Sequence, residues 1–119
     1  MERNWDTIRE ILIKAEELKP NTDLTLDDFE SSREDEIIYH VRLLDEAGLV
    51  TVEITDMLSS GQFIDVNRLT WSGHEFLDSI RNETVWSNTK KTFTEKGGVM
   101  SFDLIKSVAI KLTASLMGI

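Results

Sequence analysis

Two histidines, His40 and His74, are the only side chains in this 119-residue sequence with a nitrogen suited to general-base work or metal ligation near neutral pH, and cysteine is absent. The His74-Glu75 pair lacks the second histidine that a zinc-binding helix presents one turn later. Asp27, Asp28 and Glu30 lie close together without the alternating ligand spacing of a calcium loop, and read as a solvated turn. Gly97-Gly98 is not followed by the Lys and Ser/Thr of a phosphate loop, and no serine sits in a Gly-x-Ser-x-Gly elbow. Asn82-Glu83-Thr84 matches a glycosylation sequon only by composition. The expectation is a protein that is not an enzyme and needs no metal or cofactor.

The elements that would position other chemistry follow from periodicity. Trp5, Ile8, Ile11, Leu12, Ala15 and Leu18 recur at helical spacing behind Asn4 as N-cap, and Lys19-Pro20-Asn21 ends that helix. Leu24 to Leu26 alternates like a very short strand, and Asp27 to Glu30 reads as one helical turn. Ser31 and Glu34 form a capping-box signature ahead of a helix with Ile37, Ile38, Val41 and Leu44 on one face, closed by Gly48. The period then changes to alternation at Val50, Val52 and Ile54. Thr55 to Gln62 reads as a loop around Ser59-Ser60-Gly61, and Phe63 to Leu69 as the returning strand of a hairpin. Helices follow from Thr70 or Ser72, from Thr84 to about Lys96, and from Ser101 to Met117. Trp5, Trp71 and Trp86 are expected as core anchors.

The order predicts an α+β, mostly α fold: a winged helix-turn-helix over residues 1–83, with a helical C-terminal extension over 84–119. That extension is expected to pack on the same domain or on a partner in a homodimer formed through the C-terminal helix. Trp5 and Asp6 stand where a signal peptide needs an apolar core, and Lys106 and Lys111 interrupt the longest apolar segment, so the reading is a cytoplasmic protein with no membrane partner.

In a winged helix the helix before the hairpin normally reads the major groove. On that expectation double-stranded DNA is a partner, with Tyr39, His40 and Arg42 reading bases. Arg33, Arg68 and the wing residues Ser59, Ser60 and Gln62 would hold phosphates. The charge argues the other way. Residues 1–83 hold 8 Lys and Arg against 20 Asp and Glu, while residues 84–119 hold 5 against 2. DNA affinity comes chiefly from Lys and Arg displacing counterions. The alternative is an acidic protein-interaction module, a DNA mimic or an inhibitor of a host or defence protein. Its contact face would be Asp35, Glu36, Tyr39, Leu43 and Glu46.

Two stretches carry a resemblance. His40-Val41-Arg42-Leu43-Leu44-Asp45-Glu46-Ala47-Gly48-Leu49-Val50 resembles the end of the recognition helix and the start of the hairpin in many bacterial winged-helix proteins. Leu69-Thr70-Trp71-Ser72-Gly73-His74-Glu75-Phe76-Leu77-Asp78 resembles the strand-to-helix step after their wing. Both mark a fold and not a function. From Ile8-Arg9 through Tyr39-His40, Thr84-Val85-Trp86 and Lys96-Gly97-Gly98, the chain is similar to domain of unknown function family number 2513. That family comprises short proteins found mostly in phages, prophages and other mobile elements. The resemblance implies a winged-helix fold and a mobile-element setting, and it implies no activity.

Overall fold

Asn4 opens the first helix in a computed structural model that describes residues 1–58 and 61–119. Its side-chain oxygen accepts the backbone N–H groups of Asp6 at 2.9 Å and Thr7 at 3.2 Å, which caps α1 (Trp5–Glu16). The described residues form a mostly helical α+β structure with five α-helices and one three-stranded antiparallel sheet. The chain divides into two compact units, Met1–His74 and Glu75–Ile119.

In the first unit, Ile8, Ile11, Leu12 and Ala15 of α1 are buried as their spacing predicts. Strand β1 is only Leu24–Thr25, and a 3-10 turn at Leu26–Asp28 follows, where the Asp28 carboxylate accepts the Thr25 N–H at 2.9 Å. The capping box expected from Ser31 and Glu34 does not open the next helix. Ser31–Arg33 is a 3-10 turn that runs directly into α2 (Glu34–Glu46), whose N-cap residue Arg33 makes no side-chain cap bond. The first-turn acids Glu34, Asp35 and Glu36 instead place negative charge at the positive end of the helix dipole. Ile37, His40, Val41 and Leu44 form the buried side of α2.

The hairpin is longer than its sequence suggests. Strands β2 (Val50–Met57) and β3 (Gly61–Leu69) pair from Val50↔Leu69 to Met57↔Gly61, so most of the expected loop is strand. Asp56 and Gln62, opposite each other, are joined by a 2.6 Å hydrogen bond from the Gln62 amide, which supports pairing past the apolar residues. The register shifts between Thr51↔Arg68 and Val52↔Val66, leaving Asn67 as an extra residue on β3. Its side-chain amide reaches the Asp23 carboxylate at 3.1 Å. Strand β3 is central, with β1 on its other edge through Leu24↔Val66. Ile64, Val66 and Leu69 face the core, as do Leu49 and Val50.

The two fold-marking stretches meet at the root of this hairpin. The Thr70 N–H donates to the Leu49 carbonyl at 3.0 Å, and the Thr70 hydroxyl donates to the Gly48 carbonyl at 2.6 Å while accepting the Gly73 N–H at 3.1 Å. This starts α3 (Trp71–Ile80). Gly73, Phe76, Leu77 and Ile80 are its buried positions, and Trp71 lies off that stripe with 79% of its surface exposed. The expectation of a core anchor at Trp71 is therefore corrected: it stands on the outer side of the first turn. Trp86 is buried as expected, and Trp5 is half-buried with the Arg3 guanidinium 4.4 Å from its ring centre.

In the second unit, Asn82 caps α4 (Glu83–Lys96) by accepting the Val85 N–H at 3.0 Å, and Val85, Trp86, Thr89 and Phe93 are buried. The Thr89 hydroxyl is satisfied by the Val85 carbonyl at 2.7 Å. Gly97 ends the helix at φ 71°, a left-handed conformation that glycine adopts without strain. Ser101 caps α5 (Phe102–Met117), and the Phe102 ring lies 4.5 Å from that of Phe76. Ile105 and Ala109 are buried, whereas Leu104, Ile110, Leu116 and Met117 are exposed. The broad apolar face expected over Ser101 to Met117 is thus covered on one side only.

Candidate functional site

Arg33 lies between α1 and α2 and is held by two carboxylates. Its Nη1 and Nη2 donate to Glu10 at 2.9 and 2.8 Å, a two-pronged fork, and its Nε and Nη2 donate to Glu36 at 3.1 and 3.0 Å. Glu36 also accepts the Thr7 hydroxyl at 2.6 Å. The carboxylates, Glu10 first, hold the Arg33 guanidinium above its ordinary value. In return Arg33, and then Thr7, lower Glu36 from 4.5 to about 2. Because the folded value is the depressed one, this carboxylate stabilises the fold above pH 4.5, and its contribution is lost as pH falls towards 2. Glu36 is about a third exposed, so screening leaves that contribution near ~1 kcal/mol. Urea denaturation of the native protein and Glu36→Gln is expected to show a gap that closes between those two pH values. A constant gap would mean that the charge of Glu36 contributes nothing.

His40 is 1% exposed. The Asn4 N–H donates to its Nε2 at 2.8 Å, so the proton of a neutral ring sits on Nδ1, 2.7 Å from the Glu36 carbonyl. Both nitrogens are engaged inside the chain, and neither is presented to a base edge. Tyr39 sets its ring edge-on to His40 at 5.4 Å and is half-buried, as is Leu43. Asp35 and Glu46 are exposed, and Glu36 is held by Arg33 and Thr7 as above.

The remaining members of the expected DNA-reading set separate. Arg42 reaches Asp56 at 4.0 Å, and Gln62 donates to the same carboxylate, so these two come together on one acid. Arg68 is exposed, with its Nη1 on the Leu69 carbonyl at 3.0 Å. It stands six residues along β3 from Gln62, roughly 20 Å at strand rise, so Arg42 and Arg68 do not form one cationic cluster. Ser59 and Ser60 lie outside the described residues.

A surface that periodicity did not single out lies on the outer face of the hairpin. The pairs Glu53↔Asp65, Thr55↔Phe63 and Met57↔Gly61 point away from the core in register. Phe63 and Met57 are exposed large apolar residues. Glu53 and Asp65 are like charges directly opposite, an unfavourable pair for the sheet itself. Asp27 and Glu34 border an open groove of about 470 Å³ that Thr55, Met57, Phe63 and Asp65 of this face also line. The alternation of Phe63 and Asp65, and of Glu53 on the preceding strand, signalled part of this face in the sequence, but Thr55 and Met57 lay in the presumed loop. Among the described residues no group of three His, Asp or Glu is placed to hold a metal ion, and no helix is long and apolar enough to cross a membrane.

Fold and surface together define a small, acidic, mostly helical α+β protein whose carboxylates outnumber its cations on the first unit. The family described as "Hypothetical protein (DUF2513)" matches residues 2–99, and the chain belongs to that family. It is also similar to a protein of Haemophilus influenzae described as "Uncharacterized protein", with 40% identity over 119 residues that cover 98% of this chain and 99% of the relative. No solved structure matches the chain significantly.

Proposed function

We propose that this chain is a non-catalytic protein-interaction module, built on a winged-helix arrangement, whose first unit binds a partner through an acidic surface and does not read DNA. The winged-helix reading is supported by the order helix, short strand, helix, hairpin, with β1 added to the edge of β3. One observation carries the functional reading. The arginines of the expected DNA-reading set engage the chain's own oxygens: Arg33, for phosphate, on Glu10 and Glu36, Arg68, for phosphate, on the Leu69 carbonyl, and Arg42, for bases, 4.0 Å from Asp56. Residues 1–74 hold 7 Lys and Arg against 17 Asp and Glu, so freeing those arginines would still leave a net negative unit. The contact residues are Asp35, Tyr39, Leu43 and Glu46 on α2 and Phe63, Asp65 and Met57 on the outer face of the hairpin. On the hairpin, exposed Phe63 and Met57 stand beside the carboxylates of Asp65, Asp27 and Glu34, an arrangement that suits a basic partner protein.

Fluorescence anisotropy with mixed-sequence duplex DNA at low salt tests this. No binding is expected up to high protein concentration. Binding that weakens steeply as salt rises, and that Arg42→Glu abolishes, would overturn the proposal in favour of a DNA-binding regulator. In a pull-down, Leu43→Asp is expected to release the partner while Arg42→Glu keeps it.

A further inference from the structure

Within the second unit, α5 carries an apolar stripe that the unit itself leaves open. Ile110, Ala114 and Met117 recur at i, i+4 and i+7, with Ile110 52% and Met117 69% exposed. Together with Thr113 they line a groove of about 340 Å³ whose rim holds Glu75 and Asp78 from α3 and Lys106 from α5. The rim therefore carries both signs, Glu75 and the Arg81-bonded Asp78 on the α3 side and a cation on the α5 side.

We propose that a second copy of this chain occupies the groove, the two α5 helices crossing antiparallel about a two-fold axis beside Ile110. Such an interface is isologous: each copy offers the same patch. The two-fold turns the Lys106 side of one copy onto the Glu75 and Asp78 side of the other, so the rim is complementary to itself. The charge of the unit agrees. Residues 75–119 hold 6 Lys and Arg against 5 Asp and Glu, whereas residues 1–74 are strongly acidic and would repel a copy brought against them. Of the two units, the nearly neutral one bears the uncovered apolar stripe. An apolar row of this kind at helical spacing suits a facing helix better than a phosphate backbone or a small polar ligand.

Light scattering on the full chain over a concentration series is expected to move the mass from the monomer's 13.6 kDa towards twice that value. Ile110→Asp is expected to weaken the association more than tenfold. Its circular dichroism should match that of the native protein, because Ile110 is not part of the core. The rim gives a second, independent reading. Lys106→Glu alone and Glu75→Lys alone should each dimerise several-fold more weakly, since each places like charges across the two-fold. An equimolar mixture of the two variants should form heterodimers as tight as the native dimer. A mass of 13.6 kDa at every concentration overturns the proposal. A dimer that Ile110→Asp leaves unchanged, or a mixture that pairs no better than its components, overturns it as well.

Discussion

Gly73→Ala is expected to destabilise the protein by about 3 kcal/mol or more, the largest effect of a methyl group added at any of its glycines. A Cβ at Gly73 would stand 2.0 Å from the Leu49 carbonyl oxygen, 3.0 Å from its carbon and 3.3 Å from the Leu69 Cβ. The obstacle is backbone, and it cannot swing aside as a side chain would. The Leu49 oxygen is also fixed as the acceptor of the Thr70 N–H at 3.0 Å, and Thr70 in turn holds the Gly48 carbonyl. Making room means prising the start of α3 from the root of the hairpin, with loss of those hydrogen bonds. Helix propensity acts in the opposite direction, since alanine is better than glycine inside a helix by about 1 kcal/mol. The clash outweighs that gain. Urea denaturation of the two proteins decides the matter, and an alanine variant as stable as the native chain would show that α3 and the hairpin root do not touch at Gly73.

His40→Ala is expected to cost about 3 kcal/mol, from the void left by a buried ring and from the orphaned Asn4 N–H. That N–H belongs to the residue that caps α1, so the loss should not be uniform. Amide exchange in the first turn of α1, at Asp6 and Thr7, is expected to accelerate more than exchange in the β2–β3 ladder. His40 therefore acts as a strut joining α2 to the start of α1. An unchanged midpoint together with altered ligand binding would contradict this and return His40 to the surface role its position in α2 first suggested.

The same two sites separate what was legible in the sequence from what was not. Gly48, Thr70 and Gly73 are conspicuous as residue types, and the local pattern places a helix end, a cap and a glycine at them. That all three converge on the carbonyls of Gly48 and Leu49 is a matter of tertiary contact between stretches more than twenty residues apart. For His40, periodicity put the side chain at the edge of the apolar face, which suits a buried strut as well as a reader of bases. Its partner, Asn4, is far away in the chain, and no spacing rule reaches it. Arg33 is similar. Its i,i+3 partner Glu36 is visible in the sequence, but Glu10 is supplied by another helix, and it is Glu10 that closes the guanidinium fork.

Sequence alone determined the five helices, the change of period at Gly48 and the acidic balance of the first unit, because these follow from side-chain repeat, capping chemistry and charge, all local quantities. It missed the extent of the hairpin, since Thr55 to Gln62 carries turn residues and polar side chains whose pairing depends on the opposite strand. It also misplaced Trp71, because one aromatic at the start of a helix can lie on either side until the buried stripe is fixed by what packs against it. Tertiary structure decided which charges are available. Folding brings Glu10 to Arg33 and Asp56 to within 4.0 Å of Arg42, while Arg68 donates to the carbonyl of the next residue, and the outer hairpin face gathers Glu53, Phe63 and Asp65 only once the register is set. Periodicity carries no record of that gathering.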